Sequence, residues 1–281
     1  MPRADSFTVF PRIALGAWVL VVILATPGTA RAYRPFDGTD ADVAEEGTFE
    51  LEMAPVGYLH QPHYDALVVP SLVLNQGIAN DTELVLQTNR LELLGATPPG
   101  QPRVQYLDTA LLTKHVWREG VLQDEHGPSF ATEAGPLFPI GPGQHGVGAI
   151  LTGILSVVTP AATFHFNVAP SLTVAHDLDL FASTIVEGPH KWTVRPALEV
   201  YAERDFGGET VLSGLLGGIW REQEGLEFDV AGRAADVNGS PVFEVRAGVT
   251  WAYRLWGDKT PKVEGHLSPR RHYGLSVPSR P

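Results

Sequence analysis

FEVRAGVTWAYRL, residues 243–255, decides the fold. Phe243, Val245, Ala247, Val249, Trp251, Tyr253 and Leu255 share one parity, and Glu244, Arg246, Thr250 and Arg254 share the other. Successive side chains of an extended chain point to opposite faces, so this is a strand with one apolar and one charged face. The same alternation recurs from Thr48 to Trp256, interrupted by short runs of Gly, Pro, Asn and Asp. Working outward, it predicts strands over 48–59, 64–75, 82–94, 103–121, 129–139, 147–158, 163–175, 178–187, 191–204, 210–221, 226–235 and 241–255. The fifth is weakened by Pro136 and Pro139, the sixth is apolar on both faces, and Asn238-Gly239 signals the last hairpin.

The start of the chain reads as an export signal. Arg3 and Arg12 give a positive n-region, Ile13–Ala25 an apolar stretch, and Ala30-Arg31-Ala32 a small-residue cleavage site before Tyr33. That apolar stretch is shorter than the about 20 residues a spanning helix needs. The next candidate, 146–159, is shorter than that too and is stopped by Pro160. A membrane-embedded form must therefore be a closed barrel, because unpaired backbone groups at an open sheet edge are costly in hydrocarbon. The expectation is an all-β, about twelve-stranded antiparallel transmembrane β-barrel over 48–256. It follows a signal peptide (1–32) and an acidic lead-in (33–47), and a disordered tail (257–281) comes after it. The lead-in, YRPFDGTDADVAEEG, is read as too short to fill a lumen and hence not as a plug.

Charge and composition narrow the partners. The formal charge of −12 becomes −14 when Arg3, Asp5, Arg12 and Arg31 leave with the signal, which disfavours nucleic acid as a partner. The absence of cysteine excludes disulfides, thiol catalysis and thiolate-bound metals. The expected partners are outer-membrane lipid, a small-molecule solute and, during biogenesis, the barrel-assembly machinery, with no cofactor and no metal. The tyrosines and tryptophans, Tyr58, Tyr64, Tyr106, Trp117, Trp192, Tyr201, Trp220, Trp251, Tyr253 and Trp256, fall mostly near strand ends, as interfacial girdles require.

The charged parity supplies the candidate site. Lys114, Lys191, Arg195, Arg233, Arg246 and Arg254 are expected to line a lumen together with Glu133, Glu199, Glu203, Glu227, Asp229 and Glu244. Charges there are tolerable only in water or in pairs, so they read either as a salt-bridged filling or as a selectivity filter. Gly141-Pro142-Gly143-Gln144-His145-Gly146 fits G-x-G-x-x-G, but a proline-rich stretch precedes it and strand-forming residues follow, so it reads as a loop. No H-E-x-x-H or G-x-S-x-G occurs. Ser171 with His165 or His176 is the one conceivable nucleophile–base pair, and lumen lining is the plainer reading.

Tyr33–Ala44, Glu133–Pro139, and Glu187-Gly188-Pro189 through Arg195-Pro196 resemble a group of predicted proteobacterial outer-membrane proteins. These are similar to the phenol-degradation-pathway outer-membrane family, often called transporters. The resemblance implies an outer-membrane barrel passing small molecules, aromatic or apolar ones among them, and it assigns no site residue. The expected function is passive or facilitated diffusion without covalent chemistry. Three alternatives stay open: a soluble periplasmic ligand-binding β-protein with its apolar parity inside, a non-conducting structural barrel, and an outer-membrane lipid hydrolase.

Overall fold

The computed structural model describes residues 34–97, 101–141 and 144–256. The expected signal peptide and C-terminal tail lie outside the described residues, as do Pro142 and Gly143 of the glycine-rich loop. Twelve strands follow in order: β1 (Thr48–Gln61), β2 (Tyr64–Ala79), β3 (Thr82–Leu94), β4 (Val104–Arg118), β5 (Ser129–Leu137), β6 (Gly148–Val158), β7 (Thr163–Leu172), β8 (Leu178–Glu187), β9 (Val194–Asp205), β10 (Thr210–Gln223), β11 (Leu226–Val237) and β12 (Ser240–Arg254). Each pairs antiparallel with its neighbours, and β1 closes on β12 from Thr48↔Arg254 to His60↔Phe243. Closure satisfies the edges that an open sheet would leave bare.

The strands begin and end where local chemistry says they should. Asn238 (φ 52°) and Gly239 (φ 82°) take the left-handed backbone of a two-residue hairpin turn between β11 and β12. Pro55 and Pro70 fall where the register of β1 and β2 shifts, between Met53 and Val56 and between Val68 and Ser71. Pro136 does not end β5. It stays opposite Ala149 of β6, while pairing to β4 skips from Ala110↔Leu137 to Thr113↔Ala134, so the missing donor costs only a local gap.

The apolar parity faces outward. On β9, Val194, Leu198 and Val200 are exposed on the outer wall while Arg195, Ala197 and Glu199 are buried inside. The same holds on β11, where Phe228 and Val230 are outside and Glu227 and Asp229 inside. A soluble barrel needs the reverse arrangement, with its apolar parity forming the core. Among the described residues no helix is long and apolar enough to cross a membrane.

Aromatic placement is asymmetric. Trp117, Trp192, Trp220, Trp251 and Trp256 all lie at the rim where β1 begins and β12 ends, called here the terminal rim. Four of them are exposed, Trp117 most of all at 65 %. Tyr58 and Tyr106 mark the opposite, far rim. Two expected girdle members are corrected. Tyr201 points into the lumen and takes a hydrogen bond from Arg233, and Tyr64 packs on an inner apolar cluster with Leu59, Ala66 and Leu91. Both sit on the inward parity of their strands, which proximity to a strand end does not reveal.

Candidate functional site

One cavity of about 1670 Å³ runs through the barrel. Its wall includes Gln144, Val174 and Glu209 at the far rim and Asp124, Glu224 and Trp256 at the terminal rim. A band of apolar side chains, Val73, Val85, Leu112, Leu137 and Ile150, faces it from β2 to β6.

The acidic N-terminal stretch lies inside this cavity, which corrects the expectation that it is too short to be a plug. Length was the wrong criterion, because an extended chain spans over 3 Å per residue and need only cross the lumen once. Two apolar anchors hold it. Phe36 fills a pocket made by Ile185, Ala197, Leu215, Ile219 and Ala231. Ala41, with Val43 beside it, packs on Val116, Leu122, Ala131 and Ile154. The second pocket explains why β6 is apolar on both faces.

Between the anchors the segment has no sheet partner, so its backbone donors are met by wall side chains. Asp37 N and Gly38 N both donate to the Glu199 carboxylate, at 2.7 and 2.8 Å. Thr39 N donates to Asn167 Oδ1 at 3.1 Å, Ala41 N to Ser156 Oγ at 2.9 Å and Ala44 N to Glu83 Oε2 at 2.6 Å. Gly77 carries no Cβ because the carbonyls of Ala44 and Glu45 occupy that space.

Ion pairs fix the segment's ends and middle. Arg34 meets Asp229 at 3.5 Å, and Arg254 pairs with Glu45. Arg246 makes two parallel bonds to Asp37, at 3.2 and 3.1 Å, and another to Pro35 O. Lys114 Nζ reaches Asp40 at 3.2 Å. Enclosure alone would raise the carboxyl pKa of both aspartates. For Asp37 the Arg246, Arg233 and Arg34 guanidiniums outweigh it, and for Asp40 the Lys114 ammonium and His165 do, so both are held below the usual range.

The candidate residues divide as follows. Arg195, Glu199 and Glu203 stand on β9, Glu227, Asp229 and Arg233 on β11, Glu244, Arg246 and Arg254 on β12, and Lys114 and Glu133 on β4 and β5. All of these occupy the inward parity. Lys191 does not join them. It lies exposed in the β8–β9 turn, because β9 starts at Val194 rather than at 191.

Several charges of β9–β12 pair with one another. Arg195 is bidentate to Glu227 at 3.0 and 2.9 Å, and Arg221 meets the same carboxylate at 2.9 Å. Arg233 meets Glu244 at 2.8 Å. The chain of contacts continues from Arg195 to Glu187 (3.4 Å), then to His165 (3.2 Å) and Ser156 (2.7 Å).

Of the two pairings suspected from sequence, Ser171 with His165 is not assembled. Ser171 and His165 share a face of β7 but sit six residues apart, about 20 Å along the strand. His165 instead lies between Ser156 and Glu187, with the Ser156 hydroxyl enclosed beneath Ala41. That sequence of groups resembles a hydrolytic triad, yet a buried hydroxyl accepting a backbone N–H gives a substrate carbonyl no approach. Sequence reasoning missed Glu50, Glu52, Glu83, Asn75 and Asn167, all inward and buried. The parity rule could have found them, since Glu50 and Glu52 already stood opposite Phe49, Leu51 and Met53.

No protein-family model matches the sequence, and no curated protein does. Among solved structures the chain is similar to the COG4313 outer membrane channel from Pseudomonas putida F1, with a TM-score of 0.58 and 9% identity over 78% of this chain and 100% of that one. The KdgM porin in complex with disordered oligogalacturonate aligns with a TM-score of 0.48 and 10% identity, over 73% of this chain and 99% of that one. The CymD monoaromatic hydrocarbon channel aligns at 0.42 and 7%, over 76% and 90%. At these identities the likeness is one of fold.

Proposed function

We propose that this chain is an outer-membrane β-barrel through which small molecules, apolar ones among them, cross passively along the lumen beside the N-terminal segment. The observation that carries this reading is a single cavity reaching both rims of a closed cylinder whose outer wall is apolar. Lipid around such a wall, with water inside, reconciles exposed leucines and valines with buried charges. The band of Val73, Val85, Leu112, Leu137 and Ile150 offers apolar solutes a face to slide along. The tryptophan-rich terminal rim is the periplasmic side in this reading, and the strands are inserted by the barrel-assembly machinery after the signal peptide is removed. The resemblance found in the sequence and the shared fold of a known outer-membrane channel support the same conclusion.

Reconstitution tests it. The folded protein should need detergent for extraction, shift on gels when boiled, and give current steps in planar bilayers. A folded barrel that gives neither current nor solute flux is a structural one, which is the reading that the firmly held segment would then favour.

A further inference from the structure

The two walls of the lumen are charged differently, and the β1–β5 wall has a surplus. Glu50, Glu52, Glu83 and Glu133 face inward there, and the segment adds Asp40. Two cations stand against them: Lys114, bonded to Asp40 and 3.6 Å from Glu83, and the segment's Arg34, which donates to Ser71 of β2 and bears on Glu52. Asn75 Nδ2 donates to Glu52 Oε1 at 2.8 Å, and Ala44 N to Glu83.

Glu50 differs from the rest. It is 6% exposed, it lines the cavity, and no side chain or backbone group among the described residues hydrogen-bonds to it or pairs with it. The charged groups that bear on it most are carboxylates: Glu52, Glu83, Asp40 and Glu227. Glu50 and Glu52 are two residues apart on one face of β1, about 7 Å along the strand. A carboxyl enclosed among carboxylates is relieved either by a proton or by a cation beside it.

We infer that the Glu50–Glu52–Glu83 wall is a transient binding site for monovalent cations, alkali ions or protonated amines, and that it makes the lumen select cations over anions. This rests on the diffusion pathway proposed above. Geometry adds to the charge count. The segment presses against this wall, with Ala44 N 2.6 Å from Glu83 and Asp40 3.2 Å from Lys114. A solute passing through the cavity beside the segment, which Glu50, Glu52 and Glu83 line, stays well inside the roughly 8–10 Å over which physiological salt screens a charge. On the opposite wall Glu227, Glu244 and Asp229 already hold guanidiniums, so these three contribute little net field.

The test is the reversal potential of single channels in planar bilayers under a KCl gradient at neutral pH. The wild-type protein should reverse on the cation side. Glu50→Gln should lower the K⁺/Cl⁻ permeability ratio roughly fivefold, the worth of one unit charge a few ångströms from the path in water. Asp236→Asn, exposed on the outer face at the far-rim end of β11, should leave the ratio unchanged. A heat-induced gel shift confirms that each variant is folded, and Glu52→Gln, expected to act in the same direction, replaces Glu50→Gln if that variant does not fold. Current steps that reverse at zero or on the anion side, or an unchanged ratio in folded Glu50→Gln, would overturn the inference and leave the pathway standing. An absence of steps would remove the pathway and the inference together.

Discussion

The β9–β12 half of the lumen and the β1–β5 half are built from the same residue types and use them in opposite ways. In the first, Arg195, Arg221, Arg233 and Arg246 meet Glu227, Glu244 and Asp37 through close, often double, hydrogen bonds. In the second, Glu83, Glu133 and Asp40 gather around Lys114, and Glu50 has no bonded partner among the described residues. A planar guanidinium matches a carboxylate edge to edge, so an arginine-rich wall can close on itself. An ammonium is a point charge, and one cannot neutralise a row of carboxylates. The paired half is masonry, and the unpaired half is where a passing solute is felt. The N-terminal segment ties them together, with Phe36 on one wall and Ala41 on the other.

The contrast is broken most severely at Arg195. Arg195→Ala leaves buried Glu227 to Arg221 alone and Glu187 to His165, and should cost about 3 kcal/mol. The midpoint of the folded-to-unfolded gel shift in denaturant measures it. A loss below 1 kcal/mol would mean that water, not the guanidinium, balances this wall.

Phe36→Ala removes the anchor on the paired side and should weaken segment docking by about 3 kcal/mol. Faster proteolysis of the segment and a larger single-channel conductance are the expected signs, and unchanged values of both would show that the polar contacts suffice.

Glu50→Gln has the opposite sign for stability. Removing one of several like charges should leave the midpoint unchanged or raise it by up to about 1 kcal/mol. Marked destabilisation would place Glu50 in a structural pair and erase the distinction between the halves.

The smallest effect concerns acidity. Asp37 and Asp40 ionise below the usual value of 3.8 in the folded chain. Their contribution is therefore complete above the unfolded value and lost only as pH falls through the lower folded one. Facing them are Arg34, Arg233 and Arg246 around Asp37, and Lys114, Glu83, Glu133 and His165 around Asp40. Acidifying from about pH 7 to about pH 5 should leave the segment's protease resistance intact. Release in that interval would assign control of docking to His165 or to the wall glutamates.

Much of this was legible from residues alone. Strand β8, read as 178–187, is Leu178–Glu187 in the structure, and β3 likewise runs over its expected 82–94. Errors cluster at ends. Strand β9 was started three residues early because Trp192 continues the alternation, and that placed Lys191 in the wrong environment. Strand β2 runs to Ala79, beyond the expected 75, and its Gly77 admits the segment's backbone. The segment itself was unreadable as a plug. Phe36 and Ala41 follow no period, and their pockets are assembled from β8 to β11 and from β4 to β6, which only meet when the sheet curls.

Alternation along the chain set the number of strands, their turns and the two parities, because an extended backbone turns its side chains over every residue whatever else surrounds it. Which parity faces out, which arginine finds which glutamate, and where the acidic N-terminal residues lie were decided only by closure. Partners such as Arg246 and Asp37, more than two hundred positions apart, become neighbours only when β12 meets β1 and the enclosed space must be filled.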